Sequence, residues 1–151
     1  MATKTVVRAA IVAALYIVLT IALAPMSFGL LQFRVSEMLK PLALFHPGYA
    51  LAFVIGTFFS NLASPFGAWD FVCMAVVDGL AALVCWKLRK RQVASLIIQA
   101  VIISVGVAVF PLGFGGGLPV LISFISVLIP QLIILLGSYF IIWRYFGEWL
   151  A

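Results

Sequence analysis

Apolar residues fill this chain in long blocks with little polar punctuation between them. The first block, over 5–24, predicts a helix that stops at Pro25, with Ser27 and Gly29 in the loop beyond. A shorter block over 33–45 closes on "HPG" at 46–48, a turn signal because Pro lacks a backbone donor and Gly tolerates unusual dihedrals. A third helix is predicted over 49–62, then the loop "ASPFGAW" at 63–69, a fourth helix over 70–86 ending at "KLRKR", and a fifth over 92–110. "PLGFGGGLP" at 111–119 is too rich in Gly and Pro to continue that helix. The sixth block, 120–145, contains Pro130, which predicts a bend.

Block length then fixes the class. A bilayer core about 30 Å thick takes roughly 20 apolar residues per helical crossing. At roughly 1.5 Å per residue, segments two and three span only about 20 Å each, so they form two short helices or a partly re-entrant hairpin, and the chain returns to the side it left. The expected fold is all-α: a polytopic membrane protein of six transmembrane helices with both termini cytoplasmic, one integral-membrane domain over 1–151. Composition agrees, at 66% hydrophobic and 9% charged against about 25% charged in a soluble domain. The opening residues share the outline of a secretory signal, but everything downstream is equally apolar, so an uncleaved first helix accounts for them.

The net charge of +5 does not point to nucleic acid, because the bases form no broad interleaved patch. Lys4 and Arg8 precede helix one, Lys87, Arg89, Lys90 and Arg91 sit between helices four and five, and Arg144 ends helix six. Six crossings put all of them on one face, which Lys and Arg enrichment marks as cytoplasmic. The two cysteines, Cys73 and Cys85, stand at no metal-ligand spacing and read as small buried hydrophobes.

Against this background "FRVSEMLKP" at 33–41 stands apart, with Arg34, Glu37 and Lys40 three residues apart and so on one flank of a helix. Charges at mid-bilayer cost about 2.5 to 3.5 kcal/mol on insertion scales and face a cavity or pair with one another. Lys40, about 9 Å deeper than Arg34 by α-helical rise, matches Asp78 of helix four in depth and is opposite in sign. A structural ion pair between them is expected, with contact to a substrate or proton the other reading. Glu37 is either neutralised by its two basic neighbours or held ionised below an outer vestibule, offering acceptors to the paired N–H donors of a planar, guanine-like edge. Asn61, Trp69 and Asp70, at the same outer end, add an amide, a stacking ring and a second carboxylate; Asp70 also suits a helix cap and Trp69 an interfacial belt.

Ala9 with Ala13, and Ala10 with Ala14, give helix one small-xxx-small faces of the kind that let helices approach closely in lipid. Gln99 and Gln131 suit interhelical hydrogen bonds, and His46 a turn. No nucleophile with a nearby base, phosphate loop or metal-ligand set appears, so an enzyme is not expected, and a pump of this length cannot carry its own ATPase motor.

"AALYIVLT" at 13–20, "LQFRVSEML" at 31–39, "GTFFSNL" at 56–62 and "GAWD" at 67–70 resemble the queuosine-precursor transporter (QueT) family, S components of energy-coupling factor (ECF) transporters. The resemblance implies a bacterial cytoplasmic-membrane subunit that binds a micronutrient from outside. It implies partners too, a T component and two ATPase subunits that hydrolyse ATP, with no cofactor in this chain. It also implies a 7-deazaguanine ligand such as preQ1 or queuine. Glu37 would then meet the ring N1 and N2 donors, Asp70 the ligand ammonium, and Arg34 either Glu37 or the ring carbonyl, with Asn61 and Trp69 as further contacts and Ala9, Ala10, Ala13 and Ala14 as the docking face. Lys40 and Asp78 depart from the family pattern, which suits a private ion pair and leaves room for another cargo. A stand-alone proton-coupled transporter and an S component for another micronutrient are the rival readings.

Overall fold

The computed structural model of the protein describes residues 3–29, 32–115, 117 and 119–145, and its regular elements are all helices, with no strand among the described residues. Helix α1 is Thr3–Ala22, followed by the short α2, Ala24–Ser27, with Pro25 at its start, where a missing N–H costs nothing. A 3₁₀ helix covers Val35–Leu44. Helices α3 (Tyr49–Asn61), α4 (Met74–Lys87), α5 (Gln92–Val109) and α6 (Val120–Ser138) complete the bundle. π-Helical turns extend three of them: Trp69–Cys73 ahead of α4, Phe110–Gly115 after α5 and Tyr139–Trp143 after α6. Four helical stretches are long and apolar enough to cross a membrane, Thr3–Ala22, Trp69–Lys87, Arg89–Phe114 and Val120–Trp143, with Tyr49–Asn61 shorter.

Two segments differ from the sequence expectation. The Gly- and Pro-rich stretch after α5 stays helical as far as Gly115, wound as a π turn. Segment two is a 3₁₀ helix of ten residues, where runs beyond three or four are uncommon. Its three residues per turn align positions i and i+3 in single file. Glu37 and Lys40 therefore stand one above the other, about 6 Å apart along the axis at roughly 2.0 Å per residue, and Arg34 caps the column in an extended conformation just ahead of the helix.

The bundle closes around that column. Helix α1 packs on α3, α3 on α4, α4 on α5 and α5 on α6, while the 3₁₀ helix touches α6, α1, α4 and α3. It packs between α6 and α1 and against α3 and α4, with eight of its ten residues buried. Two sequence features hold it there. Pro41 has no N–H to give the Met38 carbonyl three residues back, and the indole Nε1 of Trp143 donates to that carbonyl instead. Gly56 of α3 lies against Tyr16, where a Cβ would come within 3.0 Å of the ring, so glycine lets α1 and α3 approach and points Tyr16 inward. The outward faces of α1 and α6, with Ile11, Val18, Ile129 and Ile133 exposed, are apolar as lipid contact requires.

Candidate functional site

Every charged residue of the 3₁₀ column is buried, and each is held by groups from other segments. Arg34 leads the helix. Its Nε donates to the Ser27 carbonyl at 3.1 Å, Nη1 to Asn61 Oδ1 at 3.2 Å, and Nη2 to Gln32 Oε1 at 3.2 Å and Asp70 Oδ2 at 3.5 Å. Asn61, the last residue of α3, turns its amide the other way and donates to Asp70 Oδ1 at 2.9 Å. Asp70 lies in the π turn ahead of α4 and makes no cap; its carboxylate is held by Arg34 and Asn61.

One turn down, Glu37 Oε1 accepts from the Tyr16 hydroxyl at 2.6 Å, and Oε2 from Gln131 Nε2 at 2.7 Å. The Lys40 ammonium is 2.5 Å from Glu37 Oε2 and 2.8 Å from Asp78 Oδ1. Thr57 donates to the second Asp78 oxygen. The column thus divides into an outer group built on Arg34 and Asp70, and an inner group in which one ammonium serves two acids. The inner one draws on α1, α3, α4, α6 and the 3₁₀ helix. Gln131 makes the interhelical bond read for it, across 94 residues of sequence; the Gln99 amide has no partner among the described residues.

A small cavity of ≈ 10 Å³ lies between the two groups, lined by Gln32, Arg34, Glu37, Asp78 and Gln131 on its polar side and by Met74, Ile103, Val107 and Val127 on its apolar side. That volume is about enough for one water. The vestibule expected from the sequence is therefore closed, and Glu37 is 2% exposed. The charged groups of the two clusters are each satisfied by a neighbour, as buried charges must be. A carboxylate has about four lone-pair sites, so Glu37 retains acceptor capacity beyond its three contacts.

Gln32 is a residue that sequence reasoning missed. It is 3% exposed, its Nε2 has no partner, and it is the single described non-glycine residue with positive φ, at 42°. Such backbone strain gathers at ligand sites. Nothing in "LLQF" signals it, because positive φ at a glutamine is invisible in the sequence. Tyr16 and Thr57 were missed for a related reason: each reads as an ordinary polar residue of an apolar helix until the 3₁₀ column is placed beside it.

Trp69 lies at the rim, 46% exposed, stacked on Phe114 at 5.4 Å and on Phe110 at 6.5 Å between ring centroids. It joins the turn ahead of α4 to the turn after α5. The four alanines divide: Ala9 and Ala13 are buried where α1 meets α3, while Ala10 and Ala14 are exposed, and all four line an apolar groove of ≈ 440 Å³ between the two helices. His46 accepts from the Gly48 N–H at 2.9 Å, a turn role. No group of three or more His, Cys, Asp or Glu able to hold a metal occurs among the described residues.

A family model described as QueT transporter matches residues 6–145. The "Queuosine precursor transporter QueT" of Lactococcus lactis subsp. cremoris (strain MG1363) is 45% identical over 84 residues, 54% of this chain and 47% of that protein. The chain therefore spans about half the length of this curated relative in the match. No solved structure matches the chain. With several apolar helices around a buried polar column and a family match over nearly its whole length, the chain is a multi-pass membrane protein that belongs to the QueT transporter family.

Proposed function

We propose that this chain is the substrate-binding S component of an ECF-type importer, and that its cargo is a queuosine precursor of the 7-deazaguanine type. The observation that carries this reading is the closed cavity. Its lining combines charged and amide side chains with the apolar Met74, Ile103, Val107 and Val127, and a spare amide donor sits at Gln32. A planar bicyclic base fits such a mixture. Its ring N–H and amino donors go to Glu37, its carbonyl to Gln32 Nε2, and its faces to Met74, Val107 and Val127. Gln131 yields its contact with Glu37 to the guest, while Asn61 and Asp70 hold Arg34 at the cavity edge. Such binding needs the bundle to open by roughly the volume of the guest, and the Trp69–Phe110–Phe114 stack forms the outer cover that parts.

The orientation we assign has six segments in the membrane and both termini cytoplasmic, in a bacterial cytoplasmic membrane. Its support is that Arg144 lines the same recess of ≈ 550 Å³ as Arg89, Lys90 and Arg91, so the α4–α5 turn and the end of α6 share one basic rim, and such rims face the cytoplasm. The α1–α3 groove, with Ala10 and Ala14 at its surface, is the proposed seat of a T component, and two ATPase subunits bound to that partner supply the ATP hydrolysis. The direct test is thermal stabilisation of the purified chain by 7-aminomethyl-7-deazaguanine, queuine, guanine and unrelated vitamins. Stabilisation confined to the deazaguanines is expected; stabilisation by an unrelated vitamin alone replaces the cargo. Uptake that follows the proton gradient without ATP or partners replaces the importer with a stand-alone transporter.

A further inference from the structure

The charges buried in the described bundle do not balance. They are Arg34, Glu37, Lys40, Asp70 and Asp78, three acids against two bases, inside a chain whose formal charge is +5. Arg34 and Asp70 form one neutral pair. The surplus therefore lies in the inner group, where Glu37 and Asp78 share the single ammonium of Lys40. Among the described residues, the segments packed around it bring no second base into contact with these acids. Helix α1 contributes Tyr16, α3 Thr57 and α6 Gln131, all neutral donors, and the α5 residues at the cavity are Ile103 and Val107. Arg34 faces the same cavity but is committed to Asp70, Asn61, Gln32 and Ser27. An uncompensated buried charge is costly enough that the group takes a proton instead, and two acids at one site do so readily.

We propose that the inner group holds one exchangeable positive charge, which is a proton on the Glu37–Asp78 acids in the empty protein and the ammonium of a cationic ligand in the loaded one. This rests on the reading of the cavity as a deazaguanine site. On loading, the carboxylic O–H breaks, its proton leaves to solvent, and the carboxylate so formed receives the ligand's R–NH₃⁺, so the buried charge is the same before and after. The ammonium goes to the inner acids and not to Asp70, whose charge Arg34 already balances one to one. Ligand binding is then coupled to release of a proton. Over the range in which the empty site is protonated, affinity for a cationic ligand rises about tenfold per pH unit, and a neutral ligand of the same shape gains nothing.

The test is isothermal titration of the purified chain with 7-aminomethyl-7-deazaguanine and with its neutral 7-cyano analogue, in buffers of different ionisation enthalpy at one pH. The expected result is about one proton released per aminomethyl ligand bound, none for the nitrile, and at least tenfold weaker nitrile binding. Equal affinity for the two, or a preference without proton release, overturns the exchange and leaves the deazaguanine site standing. If neither binds, the cargo reading falls and the exchange with it. Asp78→Asn removes the surplus acid, so proton release is expected to vanish and the preference to move toward the nitrile. Should that variant not fold, the wild-type comparison between buffers decides by itself.

Discussion

Lys40 is the residue on which the buried charges turn. Removing it as Lys40→Met leaves two acids without their base, and losing one partner of a buried pair costs about 3 to 5 kcal/mol. The expected outcome is a sharply lower unfolding temperature in detergent, recovered in part when Asp78→Asn is added; a Lys40→Met protein as stable as wild type contradicts the shared-ammonium geometry. Gln32 carries two roles. Gln32→Gly relieves a positive φ worth of order 1 kcal/mol but removes the acceptor of Arg34 Nη2, a charge-assisted bond worth about 1.5 to 3 kcal/mol, so a modestly lower melting temperature is expected, together with a smaller ligand stabilisation through loss of the spare Nε2; an unchanged ligand shift contradicts the role given to that amide. At this scale the sequence was legible for Lys40 and Asp78, because opposite charges at matching depth in an apolar bundle are brought together by the cost of leaving either alone. It was not legible for Arg34, whose carboxylate partner is Asp70, 36 residues away, rather than the nearer Glu37.

The 3₁₀ helix sets Glu37 and Lys40 one above the other, and its stability rests on a contact from the far end of the chain. Trp143→Phe keeps the ring and leaves the Met38 carbonyl without its donor, a loss of about 1 to 3 kcal/mol for a buried unsatisfied group. A lower melting temperature is expected, and unchanged melting places that carbonyl's partner elsewhere. Gly56→Ala sets a methyl group 3.0 to 3.2 Å from Tyr16, so it is expected to weaken ligand binding through displacement of the Tyr16–Glu37 bond, read as a reduced thermal shift. Helices α1, α3, α4, α5 and α6 were legible to within a few residues because apolar runs, Pro25, "HPG" and the basic turn mark their ends. The helix type of segment two was not. Its three-residue charge spacing suits both an α-helix and a 3₁₀ helix, and packing on four neighbours selects the tighter one.

For the whole molecule, the proposed orientation rests on where the bases gather, and it can be tested chemically. In a chain with Cys73 and Cys85 replaced by serine, Ser64→Cys is expected to react with a membrane-impermeant maleimide added outside intact cells, and Lys90→Cys only after the membrane is opened. The reverse labelling inverts the proposed topology and places the cavity's cover toward the cytoplasm. The polar cluster was foreshadowed by "FRVSE" and "GAWD", but its closure was not: a sequence shows which groups want partners and not that, without a guest, they find each other.

The central claim is that the Glu37 carboxylate receives the ligand's N–H donors, and the most direct measurement is the affinity of 7-aminomethyl-7-deazaguanine for wild type and for Glu37→Gln, by titration calorimetry on folded, purified protein. A hydrogen bond to a charged group is worth about 1.5 to 3 kcal/mol, so a loss of about ten- to a hundredfold is expected, with melting of the empty variant near that of wild type. Full affinity in Glu37→Gln contradicts the account.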